Sequence, residues 1–369
     1  MAMIDPSLDN GVNECVRRKK YASRSKEGHV GTVIKKTTCD LATIPSSRDS
    51  RRKPKKRSKL FKKTRFSVRG NTANLRYGRL DEYEVLDEIC RGSYGKVYKG
   101  KEKETGRMVA IKKELDGFCK SSYREIDILK SVVGHPSFVQ FKQVVVDEYK
   151  DDVYVVMEYI ENDLRRSMKS METPFNESQV KALMKQLMEG VNFLHENGMM
   201  HRDLKPSNIL VNNKGELKIC DFGMSRQFRR ALGSYSPRVG TLWYKAPELL
   251  LGAEKYSCAV DMWAVGCIMA ELFLEDAIFK GDSEIDQLQK IFGILGTPDD
   301  IVWPGFSSLP GSRFKFVEQP FNMLSMNFTI ISGLGIDLLN KLLACNPEER
   351  ITAKDAINHP WFHEKSSTS

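Results

Sequence analysis

No apolar run in this 369-residue chain approaches the roughly 18–20 residues that span a bilayer, so a transmembrane helix is not expected. The opening residues, Met1-Ala2-Met3-Ile4-Asp5-Pro6, lack the basic start and apolar core of a secretory leader. None of the eight cysteines forms a CxxC pair. That scatter argues against a zinc site or a disulfide framework and for reduced thiols in the cytosol or nucleus. Residues 1–79 show no sustained hydrophobic period and few aromatics. A largely disordered tail is expected there, without the stacking platforms of a specific nucleic-acid binder. There is no internal repeat.

The tail does hold positive charge. Residues 1–80 carry 22 Lys/Arg against 6 Asp/Glu, and the remainder carries 36 against 42, so the net +10 belongs to the tail. Arg51-Arg52-Lys53-Pro54-Lys55-Lys56-Arg57 sets six cations around one proline. In an extended segment this suits the acidic grooves of a nuclear-import receptor, which predicts nuclear localisation. The blander alternative is a solvated run that touches nucleic acid by charge alone.

From Tyr83 the pattern changes. Tyr83 to Ile89, Met108 to Lys112, Val139 to Val146 and Val153 to Met157 predict a small, mostly antiparallel sheet. Ser121 and Ser122 are candidate N-caps for its one helix. After Asp163 helical periods dominate. Val180, Leu183, Met184, Leu187, Val191 and Leu194 share one helix face, and Trp263 to Phe273 is apolar nearly all round. Leu338 to Leu343 and Ala353 to Ile357 add further helix. The expected class is α+β and two-lobed: a β-rich lobe over 80–156, a connector over 157–163, a helical lobe over 164–363 and a short tail over 364–369.

Two stretches carry chemistry. His201-Arg202-Asp203-Leu204-Lys205-Pro206-Ser207-Asn208 supplies a carboxylate, an ammonium and a carboxamide within six residues, and Asp221-Phe222-Gly223 adds a second carboxylate thirteen residues later. Such a set can hold divalent cations against phosphate oxygens and still leave one carboxylate to take a hydroxyl proton. The other stretch is Ile89-Cys90-Arg91-Gly92-Ser93-Tyr94-Gly95-Lys96-Val97, a glycine hairpin between strands. Glycines there let backbone N–H groups approach phosphates, though such a hairpin is usually just a turn. Lys112 sharpens the signal: a lysine in an apolar strand costs desolvation unless paired, and Glu125 on the expected helix is the obvious partner.

Together these motifs resemble the eukaryotic protein kinases over about residues 81–363. The resemblance implies a two-lobed protein kinase fold and transfer of the ATP γ-phosphate to protein Ser/Thr. Asp203 would orient and deprotonate the acceptor, Lys205 would neutralise the transferring group, and Asn208 and Asp221 would bind Mg²⁺. Lys112, paired with Glu125, would face the α- and β-phosphates. Lys205, where tyrosine kinases have a displaced arginine, implies Ser/Thr acceptors. Ile89, Val97, Ala110 and Leu210 would sandwich the adenine beneath Gly92 and Gly95, and Met157 would back the pocket. Backbone groups of Glu158 and Ile160 would meet the adenine edge, with Asp163 also in the nucleotide set. Glu248 of Ala246-Pro247-Glu248 would pair with Arg350, and Asp261 would anchor the catalytic loop.

Ser236 matches the activating phosphosite of cyclin-dependent kinases, with Arg124, Arg202 and Arg226 as its expected cations. Ser93 and Tyr94 match inhibitory phosphosites of that family, or are simply turn residues. The switch reads Ser234-Tyr235-Ser236 and not Thr-x-Tyr, which argues against a MAP kinase. Gly281 to Leu288, Leu295-Gly296-Thr297-Pro298, the run Tyr154 to Leu164 and Thr241 to Gly252 most resemble PITSLRE-type and plant cyclin-dependent kinases. The expected partners are protein substrates, a cyclin and, through the tail, an import receptor. Neither a membrane nor a specific nucleic acid is expected.

Three departures stand out. Cys90 replaces a glycine and is expected to restrict the hairpin's first turn; it motivates the alternative of a pseudokinase scaffold. Cys119 to Glu125 lacks the family's proline and puts Lys120 and Tyr123 at apolar positions, so a cyclin-independent kinase is a further alternative. Gly240 and Lys245 replace the Val and Arg that shape the pocket for proline after the acceptor.

Overall fold

A computed structural model describes residues 77–92, 95–114, 120–147, 152–228, 239–328 and 331–364. The basic tail, Ser93, Tyr94, Cys119 and Ser236 lie outside them. A six-stranded sheet forms the first lobe, with β1 (Tyr77–Arg79), β2 (Tyr83–Arg91), β3 (Gly95–Glu102), β4 (Met108–Glu114), β5 (Phe141–Asp147) and β6 (Asp152–Glu158). Their order across the sheet is β1-β5-β6-β4-β3-β2. All pairs are antiparallel except β1 with β5, where Tyr77 to Arg79 run parallel to Val144 to Val146. That sixth strand precedes the expected start of the lobe.

Helix α1 (Lys120–Ser131) packs on this sheet. Ser121 and Ser122 therefore lie in its first turn and do not cap it. The Ser122 hydroxyl is committed elsewhere, donating to Glu114 Oε2 at 2.6 Å. Cys90 also departs from expectation. It lies in strand β2 opposite Val97, with its side chain exposed, and not in a turn. Extended backbone accepts a Cβ there, whereas a Cβ at Gly95 would meet Lys113 O at 2.5 Å. Gly95 is thus required by packing, and Gly92 closes the hairpin through its N–H to Gly95 O at 2.9 Å.

The connector holds β7 (Asn162–Asp163), followed by α2 (Leu164–Ser170), which Asp163 caps by accepting from Arg166 N. Helix α3 (Glu177–Glu196) starts at an Asn176–Gln179 capping box and buries the apolar stripe from Val180 to Leu194. Short strands β8 (Met199–Met200), β9 (Ile209–Val211), β10 (Leu217–Ile219) and β11 (Arg226–Gln227) frame the stretches 201–208 and 221–223. After α4 (Pro247–Leu250) comes α5 (Ala259–Leu274), in which every residue from Val260 to Phe273 is buried. It is the axis of the second core. Helices α6 (Glu284–Leu295, capped by Ser283), α7 (Gly333–Leu342) and α8 (Ala353–Ile357) complete the lobe. Among the described residues no helix is long and apolar enough to cross a membrane.

Candidate active site

A cleft of about 690 Å³ is lined by both lobes. Ile89, Gly92, Gly95, Val97, Ala110 and Lys112 line it from the sheet; Glu158, Ile160 and Asp163 from the connector; Asp203, Lys205, Asn208, Leu210 and Asp221 from the helical lobe. Glu125 and Met157 also line it. The Glu158 N–H is spent on Gln140 O at 2.9 Å. Asp163 Oδ1 is taken by its helix-capping bond, and its Oδ2 meets Arg166 Nε at 3.2 Å.

On the roof, Lys112 Nζ lies 2.6 and 2.8 Å from the two Glu125 carboxylate oxygens and 3.5 Å from Asp221 Oδ1. Burial alone would pull the ammonium down, but Glu125 and Asp221 hold it above its ordinary value, so it stays charged. Burial likewise opposes ionisation of Asp221. Lys112, followed by His201, Lys205 and the Gly223 N–H, nevertheless brings that carboxyl below its ordinary value.

The floor is built from backbone outward. Asp261, at the start of α5, accepts from His201 N (2.9 Å), Arg202 N (2.7 Å) and His195 Nε2 (3.0 Å). His201 accepts from Asp203 N through Nδ1 and meets Cys220 O through Nε2, which fixes the ring proton on Nε2. Arg202 and Asp221 both hold left-handed backbone, at φ 69° and 62°. This is a strained choice that the surrounding bonds stabilise. Phe222 is buried against Phe138 and His201, which leaves Asp221 at the cleft.

Asp203 is tightly held. Oδ1 accepts from Thr241 N (3.0 Å) and Thr241 Oγ1 (2.9 Å), and Oδ2 from Lys205 Nζ (2.8 Å) and Asn208 Nδ2 (3.2 Å). Lys205 Nζ also meets Thr241 Oγ1 at 2.9 Å. Asn208 points its amide nitrogen at Asp203, while its Oδ1 accepts no bond among the described residues. That oxygen and Asp221 form a two-oxygen donor set. Among the described residues no group of three His, Cys, Asp or Glu could hold a metal alone. Two protein oxygens suit magnesium, a hard cation that keeps waters and phosphate oxygens in its shell.

Thr241 was not singled out from the sequence as a site residue. An isolated threonine carries no signal; only its place at the head of the Thr241-Leu242-Trp243-Tyr244 run could have marked it. Arg166 was missed too; it ties the lobes by donating to Ile89 O at 3.0 Å.

The switch cations are placed individually. Arg202 donates to Met224 O at 2.6 and 2.8 Å and to Tyr256 Oη at 2.7 Å. Arg226 Nη1 donates to Ser225 O, and Arg124 Nε is buried without a hydrogen-bond partner. Gly240 sits at φ 80°, where a Cβ would come 3.0 Å from Arg202 O. Lys245 is buried and paired with Glu284 Oε1 at 2.8 Å. The Glu248–Arg350 pair forms with both oxygens, at 2.8 and 3.0 Å.

Residues 83–362 match the protein kinase domain family. Cyclin-dependent kinase G-1 of Oryza sativa subsp. indica is 52% identical over 298 residues, covering 77% of this chain and 43% of the relative. Cyclin-dependent kinase G1 of Arabidopsis thaliana is 51% identical over 311 residues, covering 79% and 51%. Human cyclin-dependent kinase 11B is 47% identical over 293 residues, covering 77% and 37%. The chain therefore spans about half the length, or less, of these curated relatives. The match extends through both lobes of the cleft, and the chain belongs to the protein kinase family, in its cyclin-dependent kinase branch.

Proposed function

We propose that this chain transfers the γ-phosphoryl group of ATP to serine and threonine hydroxyls of proteins. The observation that carries this reading is the convergence of Lys112–Glu125, Asp203, Lys205, Asn208 and Asp221 on one cleft. Asn208 Oδ1 and Asp221 would hold magnesium, which would supply positive charge to offset that developing on the phosphates. Asp203 has both oxygens fixed by Thr241, Lys205 and Asn208, so it is aimed to accept the proton of the acceptor hydroxyl. Lys205, already beside Asp203, offsets charge on the transferring group. Lys112 orients the α- and β-phosphates, and Glu125 holds Lys112.

A phosphate on Ser236 would be received by Arg124, Arg202 and Arg226, and the buried, unpartnered Nε of Arg124 supports that role. Inhibitory phosphorylation of Ser93 and Tyr94, a cyclin partner and a preference for proline after the acceptor rest on the family resemblance. Nuclear import through residues 51–57 rests on the charge pattern of the tail. Radiolabelled phosphate transfer from Mg-ATP to a generic protein acceptor tests the central reading, with wild type against Asp203→Asn. Equal signal from both would overturn it.

A further inference from the structure

Two polar contacts, not one, cross the seam between β4 and α1. Lys112 and Glu114 are two residues apart in a strand and so share a face. Ser122 and Glu125 are three apart on the helix and share another. Lys112 meets Glu125, and one step along the seam the Ser122 hydroxyl donates to Glu114 Oε2 at 2.6 Å. All four residues are buried. Glu114 accepts this bond on one oxygen only; its Oε1 is buried with no partner. A buried carboxylate with one oxygen unpartnered, at the end of β4 and two residues past Lys112, needs a reason. Its charge adds to those that keep the Lys112 ammonium charged.

We propose that Glu114 and Ser122 are positioning residues: their hydrogen bond latches the first turn of α1 onto β4, so that the Lys112–Glu125 pair closes within the chain itself. Placement of this helix is what regulates the lysine–glutamate pair in kinases. A built-in latch makes the assembled roof an intrinsic state of this chain, less dependent on a protein packed against α1. The consequence for phosphotransfer rests on the function proposed above; the latch itself does not.

Amide hydrogen exchange over residues 120–131 of the full chain tests the latch without any activity measurement. Ser122→Ala and Glu114→Ala should each speed exchange there about tenfold, the factor equal to ~1.4 kcal/mol, with α3 and α5 unchanged. The double variant should be no worse than either single one, because both remove the same bond. Glu114→Gln keeps an acceptor and should restore slow exchange. In the transfer assay the two alanine variants should lower kcat several-fold while leaving KM for a generic protein acceptor unchanged. Wild-type exchange in both alanine variants would overturn the latch, as would additive effects or an increase spread evenly through the protein. If wild type transfers no phosphate, the catalytic reading fails and the exchange experiment still decides the latch.

Discussion

The roof and floor of the cleft are held by different means. On the floor, Asp261 takes two backbone N–H groups of the catalytic loop and a histidine, and it stands on a helix buried from Val260 to Phe273. The loop is thus anchored through its main chain to the densest part of the core. On the roof, catalytic geometry depends on side chains meeting across a strand–helix seam, Lys112 with Glu125 and Glu114 with Ser122. Main-chain anchorage leaves a floor that can hardly rearrange without unfolding. A side-chain seam can open by motion of one helix, which makes the roof the natural place for control.

Asp203→Asn gives the sharpest test of the floor. It keeps the shape and removes the proposed proton acceptor, so phosphate transfer should fall by about 10³-fold, or ~4 kcal/mol, with far-UV circular dichroism unchanged. Asp261→Ala breaks the anchor instead. It leaves the His201 and Arg202 N–H groups buried without partners, and urea unfolding should show a loss of about 3–4 kcal/mol. A loss confined to activity, with stability intact, would mean that α5 does not carry the loop.

The floor was more legible in the sequence than the roof for the same reason. Asp203, Lys205, Asn208 and Asp221 sit within twenty residues, and the local chain brings them together. Their supports are less visible. Thr241 orients Asp203 from a distant loop, and nothing in a lone threonine announces that. Asp261, Glu248 and Arg350 could be assigned only through resemblance, since no period or spacing links residues roughly 60 and 100 positions apart. In the first lobe, β1 went unread because Tyr77-Gly78-Arg79 has no alternation and is defined only by pairing with β5. The Ser122 hydroxyl, which reads locally as a cap, is claimed by Glu114, a long-range choice that overrides helix-start chemistry.

Acidity gives a third way to probe the anchor. Burial opposes protonation of His195, but its bond to Asp261, with Cys258 also contributing, raises it from the ordinary 6.5 to about 9. A raised folded-state value contributes stability that is complete below pH 6.5 and is lost as pH rises through about 9. Asp261 is held below its ordinary value: burial opposes this, and His195 overcomes it. Its contribution is present above about pH 4 and lost only in stronger acid. The unfolding free energy from urea titrations should therefore fall between pH 6.5 and 9.5 by an amount on the order of 3 kcal/mol. His195→Gln should flatten that slope; an unchanged slope would detach His195 from the anchor.

The smallest expected effect comes from Cys90→Gly, which restores to the roof the residue the family carries. If the thiol side chain obstructed the phosphates, glycine would raise ATP affinity markedly. The structure argues otherwise: Cys90 lines the cleft, but it lies in β2 opposite Val97, just past a register shift, with its side chain exposed, and the close approach to backbone belongs to Gly95. Glycine there adds chain entropy to the unfolded state and removes no clash, so it should cost about 0.5–1 kcal/mol, read as a small drop in melting temperature. KM for ATP should stay within about twofold of wild type, since the change removes one exposed thiol from the cleft's lining and leaves Gly92, Gly95 and Lys112 in place. A tenfold gain in ATP affinity would instead place Cys90 among the groups that limit nucleotide binding, and would make the roof a site of restraint as well as of control.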